Sequence, residues 1–412
     1  MSLRRRNGLG GKSVLIIVQN LPVPFDRRVW QECLTLRNAG YEVSVVCPRG
    51  KGLEGAYEEL DGVRIWRHGI PKEGNGLAGF ALEYSWSLIA ELRLAIRAYR
   101  DRRFQVIQAC NPPETIFLVA LLFRVIGGCR FIFDHHDVSP ELFEAKGGSR
   151  RSPVYWLLRL LERATFAAAD VSIATNESYR DVAISRGKMS PDNVFVVRSG
   201  PDLQRIRAVE PDLALKQGRN YMLAYVGVIG KQEGIDLLLE SFHLLLKNRS
   251  AKDVLLTIVG DGPELPAAKA LSAKLGLDDD VVFTGRVPDA ELVAVLSTAD
   301  ICVNPDSYSR MNDMSTMNKI VEYMAIGKPI VQFDLREGRV SAGEGSLYAK
   351  PDDVTDFANC VETLLGDSEL REKMGAVGRK RATNRLSWEH QVPVLLRAYE
   401  AAAGWHEVVR HG

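Results

Sequence analysis

Three polar side chains that could bind a phosphorylated, hydroxyl-rich ligand recur at helical spacing in residues 300–334. Ser315, Lys319 and Glu322 stand at positions i, i+4 and i+7, so a helix would carry them on one face. The start of a helix adds unpaired N–H groups and a partial positive charge, which favour phosphate. A capped surface helix with one lysine–glutamate pair explains the same spacing. The stretch therefore indicates a ligand site or an ordinary helix surface.

Apolar segments on both sides of these residues would hold them in place. We predict a strand over 301–303, a long polar loop, a helix over 315–326 and a second strand over 329–333. Ser315 or Asp313 is expected to cap the first turn, and a glycine followed by a proline is expected to end the helix.

A cluster of acids and histidines follows another predicted strand. His135 and His136 stand between Asp134 and Asp137, directly after an apolar segment. They are either capping and core groups or a polar cluster near a ligand. Because loops at the carboxyl ends of parallel strands bind ligands, we favour the second interpretation. No other histidine or cysteine stands at ligand spacing, so no metal is expected.

A glycine-rich turn begins at Gly227 and ends at Gly234, with Gly230 and Lys231 between them. Its glycines let the backbone approach a ligand, and the helix after it would offer N–H groups to a phosphate. A plain strand-to-helix turn is the alternative. Gly260 opens a Gly-Asp-Gly-Pro turn that lacks the third glycine of a dinucleotide fingerprint, so nicotinamide or flavin binding is not expected.

Strands and helices alternate along all 412 residues, which predicts an α/β fold of parallel βαβ units. The pattern restarts near residue 221. We therefore predict two doubly wound, Rossmann-like domains, over 1–200 and 201–385. The last helix, about 386–412, is assigned to the first domain.

Charge is unevenly distributed, although the net charge of the chain is only +1. Residues 1–200 hold 28 lysines and arginines against 21 acids, and the rest of the chain holds 25 against 31. A basic first half suits anionic lipid or phosphate surfaces, and chance drift is the alternative. The helix expected after Pro153 mixes arginines with Tyr155 and Trp156, which indicates a helix on a membrane surface or a core helix.

The remaining composition suggests a cytoplasmic protein. Six scattered cysteines are typical of buried thiols in a reducing compartment. The arginines at positions 4–6 are not followed by the apolar segment of a signal peptide. The most apolar run, 116–126, is too short to span a bilayer, and we predict a buried helix there.

Several motifs together resemble a known family over most of the chain, from Asn20 to Tyr399. They are PVPFDRRVWQECLTLRNAGYEVSVVCP, DHHDVSPELF, GDGPEL, VVFTGRVPDAEL, STADICVNP, KIVEYMAIGKPIV and LSWEHQ. In this order they are similar to retaining glycosyltransferases of family 4, which have the two-domain GT-B architecture. The stretches HDVSPE and NDMSTMNK resemble a subgroup that acts in bacterial surface polysaccharide synthesis.

This resemblance implies a sugar transferase that needs neither a metal nor a cofactor. A nucleotide-diphosphate sugar, expected to be a UDP-sugar, would lie in a cleft between two facing domains, with the nucleotide on the second. The first domain would bind a glycan or lipid-linked acceptor, with peripheral membrane contact and no nucleic acid. Hexosyl or N-acetylhexosaminyl transfer at the inner face of the membrane is expected.

The resemblance also implies roles for single residues. Glu322 corresponds to the acid that binds the ribose hydroxyls, and His136 to the histidine beside the donor sugar. Expected contacts of the diphosphate and the base are Gly227, Gly230, Lys231, Gly234, Ser315, Thr316, Gly260, Gly285 and Arg286.

The sequence departs from the family pattern at three positions. An arginine and a lysine of the phosphate loop are replaced by Val228 and Glu233, and Met314 replaces the glutamate eight residues before Glu322. Lys231 and Lys319 are the expected substitutes, and Asp313 is the nearest acid. A non-catalytic GT-B protein that binds a nucleotide, or a nucleotide-sugar epimerase of the same fold, is therefore the alternative to a transferase.

Overall fold

The computed structural model describes residues 11–69, 76–249 and 253–404. These fall into two compact units. Unit 1 comprises the described part of Met1–Val197 and Val392–Gly412, and unit 2 is Arg198–Gln391. The sequence predicted a second domain over residues 201–385, a few residues shorter at each end than unit 2. Of the predicted last helix, residues 405–412 lie outside the described part.

Unit 1 is built on one sheet of eight strands. They are β1 (Ser13–Ile17), β2 (Glu42–Pro48), β3 (Tyr57–Leu60), β4 (Val63–His68), β5 (Val106–Cys110), β6 (Arg130–His135), β7 (Val171–Ala174) and β8 (Val194–Val196). Their order across the sheet is β3-β4-β2-β1-β5-β6-β7-β8. Only β3 runs antiparallel to its neighbour. The carboxyl ends of the other strands therefore meet at one edge, where ligand sites form in such sheets.

Six helices of unit 1 connect these strands. They are α1 (Arg27–Asn38), α2 (Gly76–Asp101), α3 (Phe117–Gly127), α4 (Ser139–Ala145), α5 (Pro153–Ala168) and α6 (Glu177–Ser185). Helix α5 lies where a helix was expected: Pro153 is its first residue, and the Ser152 side chain caps it by accepting a hydrogen bond from Val154 N. Asp26 caps α1 in the same way, by accepting from Val29 N.

Unit 2 has a six-stranded sheet whose strands are all parallel. They are β9 (Tyr221–Val226), β10 (Val254–Val259), β11 (Val281–Gly285), β12 (Ile301–Asn304), β13 (Ile330–Phe333) and β14 (Ser346–Ala349). Their order is β11-β10-β9-β12-β13-β14. The predicted α/β class with two Rossmann-like parallel sheets is confirmed.

The helices of unit 2 cover both faces of its sheet. They are α7 (Ile235–Asn248), α8 (Leu265–Lys274), α9 (Asp289–Thr298), α10 (Arg310–Met314), α11 (Asn318–Ile326), α12 (Arg336–Ala342), α13 (Val354–Gly366) and α14 (Ser368–Arg381). The last helix, α15 (Trp388–Ala403), begins in unit 2 and continues into unit 1. No described helix is long and apolar enough to span a membrane.

The predicted helix over 315–326 is wrong at its start. The chain forms the short helix α10, then runs extended from Ser315 to Met317, and α11 begins at Asn318. Ser309 caps α10 and α11 has no side-chain cap, so neither Ser315 nor Asp313 caps this helix. The Ser315 hydroxyl instead donates to Met311 O at 2.7 Å. The left-handed Gly327 ends α11 as predicted.

The prediction that 116–126 is a buried helix is only half correct. Helix α3 buries Phe117, Ala120 and Phe123 against the sheet, but its other side is open to solvent. Val125 is 87% exposed and Ile126 61% exposed. The run is apolar on every side, so its periodicity could not show which face packs.

One buried carboxyl group in α2 has a measurable consequence for stability. Glu91 is fully buried, and neither of its carboxyl oxygens has a hydrogen-bond partner among the described residues. Burial raises the pKa of Glu91 to about 8. The native state therefore keeps a proton that the unfolded chain loses near its ordinary pKa of about 4.3. The free energy of unfolding should fall as pH rises between these two values.

Glu91→Gln should remove this pH dependence, because the amide has no proton to lose. We expect the variant to match the wild type near pH 5 and to exceed it near pH 8 by a few kcal/mol, on the order set by the pKa shift. Urea unfolding at the two pH values measures this difference. Glu372→Gln, at an exposed position of α14, is the matched control. Equal pH slopes for wild type and Glu91→Gln would contradict the prediction.

Candidate active site

Loops at the carboxyl edge of the unit 2 sheet are joined to one another by backbone hydrogen bonds. Gly227 N donates to Val259 O at 3.0 Å, Ile229 N to Asp261 O at 3.0 Å, and Gly260 N to Gly285 O at 2.9 Å. The turns after β9, β10 and β11 thus form one layer. This layer holds the glycine-rich turn 227–234, which the sequence predicted as a phosphate loop.

Two glycines are required where this turn packs against its neighbours. A β-carbon on Gly260 would overlap the carbonyl oxygen of Gly227, and one on Gly234 would overlap that of Pro305. Both residues also have positive φ angles, 144° and 63°. Gly234 precedes α7, whose first turn has no side-chain cap. The N–H groups of that turn can therefore meet an anion.

Lys319 lies behind the same turn in a buried ion pair. Its Nζ is 2.7 Å from Asp306 Oδ1, and the two side chains are 10% and 1% exposed. The ammonium also lies 3.4 Å from Tyr225 Oη and 4.8 Å from the centre of the Tyr225 ring. Burial acts to lower the pKa of Lys319, but Asp306 outweighs it and the pKa is raised. Lys319 is therefore charged at neutral pH.

Tyr225 connects this ion pair to the phosphate loop. Its hydroxyl donates to Val228 O at 2.8 Å and meets Lys319 Nζ on its other side. Glu233, within the loop, also belongs to this group of charges. Burial raises the pKa of Glu233, and Lys319 acts in the opposite direction. Its Oε2 has no hydrogen-bond partner among the described residues.

The segment between β12 and α11 is attached to the phosphate loop at one carbonyl group. Asn312 Nδ2 donates to Gln232 O at 2.8 Å and to Ser307 O at 2.8 Å. Ser307 N also donates to Gln232 O, at 3.2 Å. These bonds place α10 against the turn 231–233.

Glu322, the predicted ribose ligand, forms an ion pair that the sequence did not predict. Its Oε1 lies 2.5 Å from Arg205 Nη2, and Arg205 Nη1 lies 3.2 Å from Asp289 Oδ1. The Glu322 side chain is 17% exposed. The Arg205 guanidinium therefore pairs with two carboxylates, those of Glu322 and Asp289. A ligand that binds Glu322 would lie beside Arg205.

The other predicted contacts of unit 2 have different surroundings. Lys231 is exposed in a 3₁₀ turn and has no ion-pair partner among the described residues. Asp313 Oδ1 accepts a hydrogen bond from Arg336 N at 2.8 Å, which fixes the start of α12. Thr316 is half-buried in the extended segment before α11, and Arg286 is exposed directly after β11.

In unit 1, His136 belongs to a buried network of charges at the carboxyl end of β6. Its Nε2 lies 2.8 Å from Asp134 Oδ2 and 3.1 Å from Arg28 Nε. One nitrogen cannot donate to the carboxylate and accept from the guanidinium at once. Burial acts to lower the pKa of His136, but Asp134 outweighs it and the pKa is raised. This shift agrees with donation from Nε2 to Asp134.

Asp134 is the centre of this network, which extends to the last helix of the chain. Arg28 Nη2 and Gln108 Nε2 donate to Asp134 at 3.1 and 2.9 Å. Gln108 also donates to Glu32 at 2.6 Å and accepts from Tyr399 Oη at 2.5 Å. Burial would raise the pKa of Asp134, but Arg28 and His136 hold it well below its usual range. Asp134 is therefore ionised.

The structure separates the two neighbouring histidines. The His135 ring packs between those of Phe133, Phe166 and Tyr179, and burial lowers the pKa of His135 to about 3. It is a neutral core group. His136 is 15% exposed, and its backbone N–H donates to Asn111 Oδ1 at 2.8 Å. Of the two, His136 is placed to meet a ligand.

Cys110, Asp134 and His136 form the one group among the described residues that is compact enough to share a metal ion. Their chemistry does not fit a cation. Burial, followed by the charge of Asp134, raises the pKa of the Cys110 thiol, so it stays protonated and is a poor ligand. The Arg28 guanidinium in the same network would also repel a cation.

Sequence reasoning missed Arg28, Arg205, Asn111, Gln108 and Tyr399. A usable signal existed for Gln108. It is a polar residue inside the apolar strand β5, and a buried amide must find hydrogen-bond partners. Arg28 also pairs with Glu32 four residues later, and Asn111 donates to Glu114 three residues later. The other partners of these four residues, named above, are distant in sequence, and nothing in the local pattern indicates them.

Comparison with known protein families finds a glycosyltransferase model that matches each of the two units. A family model described as glycosyl transferases group 1 matches residues 220–367, and one described as glycosyl transferase 4-like domain matches residues 26–200. One match falls in each unit. The chain belongs to the glycosyltransferases that these models describe, which confirms the predicted family.

Curated relatives include glycosyltransferases of several kinds. The D-inositol 3-phosphate glycosyltransferase of Nocardia farcinica is 30% identical over 254 residues, which are 58% of this chain and 54% of that protein. The sulfoquinovosyl transferase of Arabidopsis thaliana is 25% identical over 90% of this chain and 69% of its own length. The match to the first of these relatives thus spans about half of that protein.

Solved structures share the fold at low identity. Sucrose-phosphate synthase from Thermosynechococcus elongatus superposes with a TM-score of 0.79 at 18% identity, over 96% of this chain and 100% of that one. Anabaena HepE, solved in complex with UDP-glucose, superposes with a TM-score of 0.72 at 15% identity, over 94% of this chain and 99% of that one. WaaG, a glycosyltransferase involved in lipopolysaccharide biosynthesis, superposes with a TM-score of 0.69 at 15% identity, over 95% of this chain and 100% of that one. These neighbours are GT-B glycosyltransferases, which confirms the predicted fold.

Proposed function

We propose that this protein transfers a hexosyl or N-acetylhexosaminyl residue from a UDP-sugar to a glycan or lipid-linked acceptor and retains the anomeric configuration. The observation that carries the proposal is the arrangement in unit 2. The phosphate loop meets Lys319 through the Tyr225 hydroxyl, and Glu322 follows Lys319 by one helical turn. An anion site and a carboxylate for hydroxyl groups thus lie side by side, which suits a diphosphate next to a ribose.

Charge at the phosphate loop would stabilise the departing UDP. Lys231, Lys319 and the N-terminal N–H groups of α7 supply positive charge or hydrogen-bond donors to the oxygens on which negative charge develops. No metal is required for this role. Glu233 and Asp306 reduce the net positive charge at the loop, so Lys231 and the N-terminus of α7 provide most of the stabilisation of the departing UDP.

Retention follows when the acceptor hydroxyl attacks the anomeric carbon from the face that the UDP leaves. The bond to the UDP oxygen breaks, the new glycosidic bond forms, and the departing phosphate takes the proton of the hydroxyl. This route needs no carboxylate nucleophile, unlike the carboxylate pair of retaining glycosidases. For His136 we propose that the protonated ring donates a hydrogen bond from Nδ1 to the transferred sugar, because Nε2 already donates to Asp134, whose charge raises the pKa of His136.

Relatives and neighbours support the substrate class. The HepE structures contain UDP or UDP-glucose, and WaaG acts in lipopolysaccharide biosynthesis. We therefore propose a role in the synthesis of a surface polysaccharide, at the inner face of a membrane. The second candidate is a non-catalytic nucleotide-binding protein. It is favoured by the neutralisation of Lys319 by Asp306 and by the carboxylate in the phosphate loop.

A thermal-shift panel of UDP-sugars, followed by product analysis, tests the proposal. A ligand at about a hundred times its Kd raises the free energy of unfolding by about 2.7 kcal/mol. Release of UDP that depends on an acceptor supports a transferase. Stabilisation without UDP release supports the non-catalytic candidate, and a new sugar nucleotide without acceptor indicates an epimerase. No stabilisation by any UDP-sugar would overturn the donor assignment.

Glu322→Gln should weaken UDP binding by about 1.5–3 kcal/mol, because a charge-assisted hydrogen bond to the ribose is lost. Calorimetric titration with UDP measures the change. Asp289→Asn is the matched control, since it removes the other carboxylate of Arg205 without removing Glu322. An equal loss in both variants would show that Glu322 acts only by holding Arg205.

A further inference from the structure

Unit 1 carries an unusual concentration of exposed apolar side chains on three adjacent helices, α2, α3 and α5. Nine of the seventeen large apolar residues exposed in the described part of the chain lie there. We name this surface the apolar-basic face. Its apolar members are Trp86, Ile89, Leu118, Leu122, Val125, Ile126, Trp156, Leu157 and Leu160.

The three helices lie side by side, so their exposed apolar residues face the same side of unit 1. The Tyr99 ring of α2 packs against Phe123 of α3 with ring centres 5.2 Å apart. The Thr165 hydroxyl of α5 donates to Glu114 O, just before α3, at 3.0 Å. Within α3 the exposed residues recur at i, i+4, i+7 and i+8, and within α5 at i, i+1 and i+4. Each helix therefore turns one apolar stripe outward.

Arginines surround this apolar surface. Arg93, Arg97 and Arg100 continue the exposed stripe of α2 at helical spacing, and Arg151 and Arg163 flank the stripe of α5. None of these five forms an ion pair among the described residues. The glutamates Glu91 and Glu162 point inward and are buried. One exposed acid remains on the described parts of these helices, Asp101, and it is paired with Arg64.

We propose that the apolar-basic face docks on a lipid bilayer that contains anionic lipids. Trp156, 62% exposed, and Leu160, 64% exposed, would enter the interface, with arginines at the level of the headgroups. A second copy of the chain is a poor occupant, because an isologous contact would bring arginines against arginines. The proposal is independent of the donor site in unit 2.

Co-sedimentation of the full chain with vesicles tests the proposal. We expect binding to vesicles of phosphatidylcholine with phosphatidylglycerol, little binding to phosphatidylcholine alone, and a decrease at high salt. Trp156→Ser/Leu160→Ser should lower the partition coefficient at least about ten-fold through lost apolar contact. Arg93→Gln/Arg97→Gln should lower it about five-fold per charge.

Val209→Ser/Leu213→Ser is the matched control, because these residues are 48% and 69% exposed in unit 2. It should bind vesicles like the wild type. Absence of binding to anionic vesicles at low salt, or an equal loss in the control, would overturn the proposal. A dimer in sedimentation velocity that Trp156→Ser/Leu160→Ser dissociates would assign the face to a second copy instead.

Discussion

Lys319→Met is expected to lower the free energy of unfolding by about 3–5 kcal/mol, because it leaves the buried Asp306 carboxylate without its counter-charge. Asp306 is 1% exposed and 2.7 Å from the lysine Nζ. Loss of UDP binding in this variant alone would therefore not identify a phosphate ligand. The two roles of Lys319, structural and ligand-binding, must be separated by a second substitution.

Lys319→Met/Asp306→Asn provides this separation, since both charges are removed together. We expect urea unfolding to show that most of the lost stability returns, while UDP affinity stays about 1.5–3 kcal/mol weaker than in the wild type. Lys231→Met, at an exposed position, should weaken UDP binding without a loss of stability. Wild-type UDP affinity in the folded double variant would show that Lys319 is structural only.

Regular elements could be predicted from the sequence where their signals are local. The predicted strands 301–303 and 329–333 match β12 and β13 to within one residue at each end, because each is a short run rich in β-branched residues. The start of α5 at Pro153 and the glycine end of α11 were also predicted from local residues. Local chemistry determines these features, so no tertiary information was needed.

Features that depend on distant partners could not be predicted. Helix α10 has five residues and is positioned by the bonds of Asn312 to Gln232, which lies in the preceding loop layer. Arg205 and Glu322 are 117 residues apart, and no local pattern indicates their pairing. Helix α3 is apolar on both sides, so only the structure shows that one side is open to solvent. The sequence identified which groups could bind a ligand, but it could not show which of them are already paired.

Asp134→Asn should have a comparably large effect in unit 1, because Asp134 is fully buried and neutralises Arg28 and His136. We expect a loss of about 3–5 kcal/mol in the free energy of unfolding. The pKa of His136 should fall, since burial then acts without the opposing carboxylate.

The pH dependence of stability distinguishes this electrostatic role from simple packing. The folded pKa of His136 lies above its unfolded value of about 6.5, so its contribution is complete below that pH. It is lost as pH rises through the folded pKa. Urea unfolding at increasing pH should therefore show a steeper decline above pH 6.5 in the wild type than in Asp134→Asn, which keeps the decline caused by Glu91. Tyr399→Phe, which removes a hydrogen bond to Gln108 and no charge, should keep the decline.

Turnover should also fall in Asp134→Asn if His136 contacts the transferred sugar as proposed. Asp134→Asn no longer fixes Nε2, so Nδ1 is neither charged nor held in place, and kcat should fall about 10²-fold. Arg28→Gln/Asp134→Asn removes both buried charges, and it allows the measurement if the single variant does not fold. A folded variant of either kind with wild-type kcat at every pH would contradict a role for this network in positioning His136. Its activity would then have to come from unit 2 groups alone.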